Sequence, residues 1–539
     1  MKINHILLSL FTTALISCSS EPTTLQKLQK DYIKSADDKS GVNIKVNYSD
    51  TWESLKNHKP APSWFADAKL GIYFHWGVYS VPAWGTEWYP KWMYVPDRDK
   101  GWGHDIYEYH KEKYGKDFHY HDFIPMWKAP NFSAEKWCDM FEDMGAKFIG
   151  AIAEHHDGFS LWDSRVNEWN SVDMGPNIDV VDAIAKQAKK RGLKYMTTFH
   201  HGYNHTFYPK NKSNYKSQIG DMSGFENDGI GQYVYVYDKT EVPQDEKYRM
   251  LYSTIPYDEA NDYWLKKLEE VIDDQCPDYI WMDFGQRFIK EEHRKKFLQY
   301  YFNKAKELKK EVVVNTKGEF FPTELAVVNV ERATMADITK DVWITDFILG
   351  SAWCYNQVKR TAINPHQAIR MLAEVVSKNG VMLLSAGPMA DGTIPEEQVK
   401  AMEGIGAWMK LYGEAIYNTR PFITYGQGTT VLKRDPKDEW NEYGAIKQGM
   451  HKLCANDIRY TYDYKNNVVY ALQLGWEDKG ITHMLEAFKT ENKIDVKDVQ
   501  VLGVDEKIVW NQDVNGLTIT QPGLKPIQGD AAIVYKINL

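Results

Sequence analysis

Short apolar runs alternate with helical patterns between residues 64 and 378. The runs are bounded by polar or turn residues, as buried parallel strands are, and they lie at 71–74, 148–153, 195–199, 279–282 and 312–314. The segments between them gather apolar residues on one helical face, which predicts helices at 133–145, 180–191, 258–275, 291–310 and 365–378. Repeated strand-then-helix units predict an α/β fold, a (β/α)₈-type (TIM-like) barrel over residues 56–421.

The pattern changes after about residue 421. Strand-like runs then follow one another with Gly, Asn and Asp turns between them and no helical pattern. They lie at 468–474, 499–502, 508–510, 517–519 and 532–537. This spacing predicts a C-terminal antiparallel β-sandwich over residues 422–539.

The first residues have the pattern of a targeting segment. Lys2 precedes an apolar run at 6–16 that is too short to span a bilayer, which predicts a signal peptide at 1–17. The run ends in Leu-Ile-Ser-Cys, which resembles a bacterial lipobox, where the thiol of Cys18 would take a diacylglycerol. An ordinary secretory peptide is the alternative. We expect a protein lipid-anchored at Cys18 in the bacterial cell envelope, on its periplasmic or outer surface, or a secreted one. Residues 18–55 are predicted to form a polar spacer with a short helix at 25–34.

Composition narrows the class of ligand. The 539 residues carry 65 Lys and Arg against 74 Asp and Glu, a net charge of −9 that disfavours nucleic acid. The sequence has no second apolar stretch of membrane length, so the lipid anchor is the only membrane contact expected. A 14% share of aromatic residues favours a carbohydrate ligand. The remaining cysteines lack CxxC spacing, so neither a zinc site nor a disulfide framework is indicated, and no cofactor is expected. They are Cys138, Cys276, Cys354 and Cys454.

Polar side chains stand directly after several predicted strands. They are His75, the run Glu154-His155-His156, the pair His200-His201, and Asp283. The carboxyl ends of barrel strands form the active face of such folds, so we expect these side chains to meet there. Two long segments, 89–131 and 202–256, follow the first and third strands and are expected to shape or cover a pocket. For the second, in which 233–237 alternates as a hairpin strand does, a variable insertion without a chemical role is the alternative.

Four ordered motifs resemble those of α-L-fucosidases of glycoside hydrolase family 29. They are Gly-Ile-Tyr-Phe-His-Trp-Gly-Val-Tyr at the start of 71–94, Glu-His-His-Asp-Gly-Phe at 154–159, Pro-Asp-Tyr-Ile-Trp-Met-Asp at 277–283, and Val-Ser-Lys-Asn-Gly at 376–380 with Asp-Gly-Thr-Ile-Pro at 391–395. The resemblance covers the chain from about residue 60 to the C-terminus. It implies an exo-acting, retaining hydrolase that removes terminal α-L-fucose from fucosylated glycans or fucose-containing polysaccharides through a covalent glycosyl-enzyme.

The resemblance also implies two catalytic carboxyl groups, which a retaining glycosidase holds about 5–5.5 Å apart. Asp283 matches the position of the nucleophile; the alternative is a carboxylate that caps the next helix. Glu331 is the expected acid/base, because the surrounding residues resemble a subgroup with Glu-Arg-Gly, Trp-Gln-Thr-Asp and Trp-Gly-Tyr. Glu324, Asp337 and a structural pairing of Glu331 with an arginine are the alternatives. The departures from the subgroup pattern are Ala333, Ile344 and Cys354.

Sugar recognition is expected from the remaining residues of these motifs. Glu87 would accept a pair of hydroxyls and Trp88 would stack on the ring. The methyl group of fucose needs an apolar wall, for which Trp281, Trp353 and Tyr355 are candidates. Further hydrogen bonds are expected from His75, His155, His156 and His200. The alternative is a metal centre of His155, His156 and Asp157, but adjacent residues on a strand point to opposite faces, so no metal is expected.

Two departures from the family bear on the substrate. Ser385 stands where the family has Asn in the last strand, and the third strand ends in Thr-Phe-His in place of a Tyr-Tyr-Ser type ending. Both leave open a shift toward α-L-galactosides. Alternatives from other classes are a catalytically silent fucose-binding lipoprotein and a structural lipoprotein that docks onto polymer.

Overall fold

The structure is a computed structural model of the chain. It describes residues 22–37, 46–96, 105–219, 234–318, 320–433, 435, 437 and 443–539. The predicted signal peptide and Cys18 lie outside these residues. Among the described residues, no helix combines the length and apolar character that crossing a bilayer requires.

Helices and strands are numbered in chain order. The α-helices among the described residues are α1 Thr24–Asp37, α2 Trp52–Leu55, α3 Ser63–Ala68, α4 Tyr89–Trp92, α5 Ile106–Tyr114, α6 Ala134–Asp143, α7 Val180–Lys190, α8 Asn204–Phe207, α9 Tyr215–Ile219, α10 Tyr257–Asp274, α11 Glu291–Glu307, α12 Pro365–Ser377 and α13 Glu396–Tyr412. The strands of the first 400 residues are β1 Leu70–Phe74, β2 Phe148–Glu154, β3 Lys194–Phe199, β4 Lys210–Asn211, β5 Val236–Tyr237, β6 Tyr279–Met282, β7 Val313–Thr316, β8 Val327–Glu331, β9 Thr334–Met335, β10 Trp343–Ile348 and β11 Gly380–Ala386. Those of the C-terminal part are β12 Arg420–Gln427, β13 Ala445–Ile446, β14 Ile458–Asp463, β15 Val468–Gln473, β16 Thr482–Leu485, β17 Asp498–Val501, β18 Trp510–Asp513, β19 Gly516–Thr520 and β20 Ile533–Asn538.

Eight parallel strands close into a barrel, which confirms the predicted fold. Around the barrel the order is β1, β2, β3, β6, β7, β8, β10 and β11, and β11 pairs with β1 to complete the ring. Each strand therefore neighbours the next barrel strand along the chain. The carboxyl ends of all eight consequently lie at one rim.

The regular alternation of strand and helix fails in one sector. In the described part of the chain, no α-helix connects β7 to β8 or β8 to β10. Instead β9 pairs antiparallel with β13 of the C-terminal part. The apolar-run pattern also missed β8 and β10, because each carries polar residues inside the barrel. Asn329 of β8 donates a hydrogen bond to Asp346 Oδ1 of β10 over 2.8 Å, which gives each of these buried side chains a polar partner.

The C-terminal part is the predicted antiparallel β-sandwich. One sheet has the order β12-β14-β15-β20-β17 and the other β16-β19-β18. Their facing residues share one apolar core that contains Phe422, Tyr460, Leu485 and Leu517. The predicted strand at 508–510 begins two residues too early. Strand β18 begins at Trp510, because the tight turn at 513–516 fixes its pairing with β19, and Val509 is 73% exposed.

The described part of the predicted spacer packs against the body. Helix α1 covers the predicted short helix, and Leu25 joins the core of the sandwich. Gln29 and Tyr32 donate hydrogen bonds to the backbone carbonyls of Tyr464 and Pro421. These residues therefore form a docked helix and not a free tether.

A buried ion cluster joins the barrel to the sandwich. Glu374 of α12 is fully buried and pairs with Lys378 at the end of α12 and with Arg459 of β14. Lys378 also donates to the carbonyl of Met335 in β9 over 2.8 Å. Burial raises the pKa of Glu374, but the charges of Arg459 and Lys378 outweigh it and hold the pKa below its ordinary value.

We expect Glu374→Gln to destabilise the protein by about 3–5 kcal/mol, because it leaves two buried cations without their carboxylate. The lowered pKa means that this contribution is present above the ordinary pKa of a glutamate and is lost as the pH falls through the lowered one. The melting temperatures of variant and wild type, recorded at pH 7 and at decreasing pH, should therefore converge in acid. Glu396→Gln, at an exposed pair with Lys400, is the control. Equal effects of the two substitutions would contradict the cluster's role.

Candidate active site

Four histidines lie at the rim where β1, β2 and β3 end. The ring of His75 lies 5.6 Å from that of His155 and 5.2 Å from that of His200, and the rings of His155 and His200 are 4.7 Å apart. His156 faces a different partner, with Nε2 3.4 Å from Asp283 and Nδ1 bonded to the carbonyl of His200. The two adjacent histidines that follow β2 therefore serve different parts of one site.

Burial keeps three of these rings neutral. It lowers the pKa of His75 to about 3 and that of His155 and His200 well below the ordinary value. His75 Nδ1 contacts Ser385 Oγ over 2.8 Å, whereas Nδ1 of His155 and of His200 has no hydrogen-bond partner among the described residues. A neutral imidazole offers one donor and one acceptor, so this cluster suits a ligand with several hydroxyl groups.

The same three rings are the described residues that best fit a metal ion. A ligand atom of His75, of His155 and of His200 lies within 4.8 Å of the others, and neutral imidazole nitrogens are good ligands. The set considered from sequence is not assembled, because the Asp157 carboxylate accepts a hydrogen bond from Tyr120 and lies away from this cluster's ligand atoms.

Two carboxyl groups and a lysine meet where β6, β7 and β8 end. Lys317 Nζ lies 3.0 Å from Asp283 Oδ1 and 2.8 Å from Glu331 Oε2. Those two oxygens are thus at most about 6 Å apart, a range that includes the roughly 5–5.5 Å of retaining glycosidases. Burial raises the pKa of Asp283, but the Lys317 charge and the hydrogen bond from His156 outweigh it, so the pKa lies well below the ordinary value. Asp283 is ionised over the physiological range.

Lys317 was missed from sequence, although it obeys the rule that found the others. It follows β7 directly, as Asp283 follows β6, but the predicted strand at 312–314 ends two residues before β7 does. Burial lowers its pKa, and the charges of Asp283, Asp346 and Glu331 raise it well above the ordinary value. The ammonium stays protonated.

The surroundings of Glu331 differ from those of the alternatives Glu324 and Asp337. Glu324 is exposed and pairs with Lys56 over 2.7 Å, and Asp337 is an exposed residue after β9. Of the three, Glu331 is the one that contacts Lys317. The carboxyl side chain of Glu331 is 22% exposed, so it faces both the buried lysine and the opening of the site.

Two further carboxyl groups at this rim are buried without a full set of partners. Glu87 Oε2 has no hydrogen-bond partner among the described residues, and burial raises its pKa to about 7. Asp346 of β10 lies 3.8 Å from Lys317, and burial raises its pKa to about 7. The charges of Glu331 and Asp283 also raise the pKa of Glu87.

Aromatic rings line the histidine cluster. Trp281 lies 5.1 Å from His200 and Trp353 lies 5.4 Å from His75, measured between ring centroids. Trp88 lies 5.3 Å from His156. Tyr355 is partly exposed. The rim thus combines hydrogen-bonding rings with apolar surface, as a pocket for a sugar needs.

The two long segments pack on each other above the rim. Lys91 is buried, donates a hydrogen bond to Tyr203 over 2.9 Å, and lies 5.0–5.7 Å from the rings of Trp88, Trp92, Tyr203, Phe207 and Tyr235. This cation–π contact fixes Trp88 at the pocket. The predicted hairpin was wrong where it is described, since β4 pairs with β5 in parallel; Tyr233 lies outside the described residues.

The chain is similar to known proteins over most of its length. A family model described as "Alpha-L-fucosidase" matches residues 36–414, and one described as "Alpha-L-fucosidase C-terminal domain" matches residues 452–539. The tissue alpha-L-fucosidase of Rattus norvegicus is 27% identical over 497 residues, 89% of this chain and 90% of that protein. The tissue alpha-L-fucosidase of Homo sapiens is 27% identical over 509 residues, 91% of each.

Solved structures agree with these relatives. The crystal structure of Thermotoga maritima alpha-fucosidase has 26% sequence identity and a TM-score of 0.67, with 91% of this chain and 100% of that chain covered. The same protein in complex with fucose gives a TM-score of 0.66 at the same coverage.

Proposed function

The chain belongs to the alpha-L-fucosidase family of glycoside hydrolases, and we propose that it is an exo-acting, retaining α-L-fucosidase. The observation that carries the proposal is the placement of Asp283 and Glu331 on either side of Lys317, at the end of the barrel where the histidines also lie. The substrates we propose are fucosylated oligosaccharides or fucose-containing polysaccharides, cleaved at terminal α-L-fucose.

Asp283 is the nucleophile of the proposed reaction. It is ionised because Lys317 and His156 stabilise its charge, and its position at the end of β6 aims it at a ligand on the rim. One Asp283 oxygen forms a bond to the anomeric carbon while the bond from that carbon to the leaving oxygen breaks. Glu331 gives its proton to the leaving oxygen. Water then attacks the same carbon, passes a proton to Glu331 and releases Asp283.

The surrounding groups would recognise the sugar. His75, His155 and His200 offer neutral donors and acceptors to hydroxyl groups, and Glu87 offers a buried carboxyl with an unpartnered oxygen. A pocket for fucose must also present dry surface to the C6 methyl group. The other contributors we propose are His156, Trp88 for stacking, and Trp281 and Trp353 for the apolar wall.

The departures at Ser385 and His200 support an alternative substrate within the same chemistry. Ser385 Oγ bonds to His75, so the residue that replaces the family's Asn sets the orientation of a sugar-binding ring. An α-L-galactoside differs from the fucoside by a hydroxyl on C6. The ratio of kcat/KM for an aryl α-L-fucoside to that for an aryl α-L-galactoside decides between the two substrates. An apolar pocket disfavours the added C6 hydroxyl by only about 10²-fold, whereas a site built to bond that hydroxyl rejects the fucoside by roughly 10⁴-fold or more.

Asp283→Ala should lower the hydrolysis of an aryl α-L-fucoside by on the order of 10⁴-fold, because no covalent intermediate forms without the carboxylate. Wild-type enzyme should release fucose first as the α anomer, which proton NMR of the early product resolves. Asp341→Ala, at an exposed position before β10, is the control and should keep wild-type activity. Initial release of the β anomer would contradict the retaining mechanism. Fucose binding without turnover in the wild type would favour the silent binding protein.

Glu331→Ala should slow cleavage of substrates with poor leaving groups by roughly 10²–10⁴-fold, the usual contribution of a general acid. Substrates with a dinitrophenol leaving group need no proton, so they should retain the first step, and azide should restore turnover with fucosyl azide as product. Glu324→Ala and Asp337→Ala are matched controls, since both residues were candidates from sequence. Should either control show the leaving-group dependence instead, the acid/base assignment is wrong.

We also propose that the protein is held at the cell envelope by a lipid on Cys18. The support is the lipobox-like run before this residue, which lies outside the described part of the chain. Cys18→Ser should move the enzyme from the membrane fraction to the soluble fraction of a bacterial host, whereas Cys454→Ser should leave it with the membrane. Membrane association of the Cys18→Ser protein would contradict the anchor.

A further inference from the structure

The two-displacement scheme uses Lys317 to keep Asp283 ionised and gives it no part in the second step. Lys317 follows β7, lies between Asp283 after β6 and Glu331 at the end of β8, and has a buried side chain. Its ammonium lies 3.0 Å from Asp283 and 2.8 Å from Glu331. A group in contact with both reacting carboxyl groups experiences every change in their charge.

The charges of these two carboxyl groups exchange during the proposed reaction. Before the first step Asp283 is ionised and Glu331 holds a proton. When the Asp283 oxygen bonds to the sugar, it becomes an uncharged ester, and Glu331 is left ionised after giving its proton to the leaving oxygen. The attack of water gives Glu331 a proton and returns the charge to Asp283. One of the two carboxyl groups is negative at each stage.

We propose that Lys317 is the common counter-ion of both steps, pairing with Asp283 before the glycosyl-enzyme forms and with Glu331 while it persists. The inference rests on the proposed retaining mechanism. Both carboxylate oxygens already lie within 3.0 Å of the ammonium, so the change of partner needs no movement of the backbone. The net charge of the three groups is the same before and after the sugar is bonded, so the buried site never holds an uncompensated charge.

The other groups that face Lys317 do not supply this positive charge. His75 and His200 are neutral, because burial lowers their pKa values. Asp346 lies 3.8 Å from the ammonium, beyond hydrogen-bonding distance, and its Oδ1 accepts a hydrogen bond from Asn329. The Trp281 ring centroid lies 4.9 Å from the ammonium, so its π face adds attraction without adding charge.

The test separates the two steps with a 2-deoxy-2-fluoro-L-fucosyl fluoride. The fluoride on C1 leaves without needing a proton, and the fluorine on C2 slows both steps. The rate of inactivation therefore reports formation of the glycosyl-enzyme, and the rate of reactivation reports hydrolysis of the glycosyl-enzyme. Lys317→Met should lower both rates by about 10²–10³-fold, because removing one partner of a buried ion pair leaves the other uncompensated. Lys317→Arg, which keeps the charge, should recover about tenfold or more of each loss. Lys186→Met, at an exposed lysine of α7, is the control.

The pH dependence of kcat/KM distinguishes this role of Lys317 from a merely structural one, which would leave that dependence unchanged. Without the Lys317 charge, burial raises the pKa of Asp283, so the acid limb of kcat/KM should shift to higher pH in Lys317→Met and not in Lys317→Arg. Lys317→Gln removes the charge but keeps hydrogen-bonding groups. It replaces Lys317→Met in both experiments if the Met variant does not fold.

Different outcomes identify different failures. Slower inactivation with a wild-type reactivation rate would show that Lys317 serves Asp283 alone and would overturn the shared role, as would unchanged rates in both charge-removing variants. Absence of a covalent adduct in the mass spectrum of the wild-type protein would instead contradict the retaining mechanism itself.

Discussion

The buried contact of one ammonium group with two carboxyl groups is the interaction on which this site depends. It exists because β6, β7 and β8 are neighbours in the barrel as well as along the chain, so that residues at their carboxyl ends meet at one rim. Helix α11 connects β6 to β7, whereas the described residues between β7 and β8 contain no α-helix, and both connections return the chain to the adjacent strand. Parallel strand order alone thus brings together groups that lie far apart in sequence.

Desolvation shifts the pKa values of the groups at the rim, and neighbouring charges decide whether the net shift is upward or downward. Burial lowers the pKa values of His75, His155 and His200, which keeps these rings neutral, and raises the pKa values of Glu87 and Asp346 to about 7. Asp283 is equally buried, yet the contacts with Lys317 and His156 reverse the effect of burial. One dry environment therefore holds neutral rings for recognition and an ionised carboxylate for chemistry.

Much of this architecture could be predicted from sequence, because apolar runs and helical faces repeat along the chain. The rule that polar residues follow barrel strands located His75, His155, His200 and Asp283. It missed Lys317, because the predicted strand at 312–314 ends two residues short of the end of β7 at Thr316. The strands β8 and β10 escaped because Asn329 and Asp346 interrupt their apolar runs, and the hydrogen bond that joins these two residues inside the barrel is visible only in three dimensions. The parallel pairing of β4 with β5 likewise depends on contacts between distant segments.

The junction between barrel and sandwich limits how this protein can be divided or recombined. Glu374 is neutralised by Lys378, at the end of its own helix, and by Arg459 of β14, and β9 forms a two-stranded sheet with β13. A chimera that took its sandwich from another protein would keep Glu374 and Lys378, so the new sandwich would have to offer a cation where Arg459 stands. We therefore expect recombination to preserve this junction best when α12, β9 and the sandwich are exchanged together.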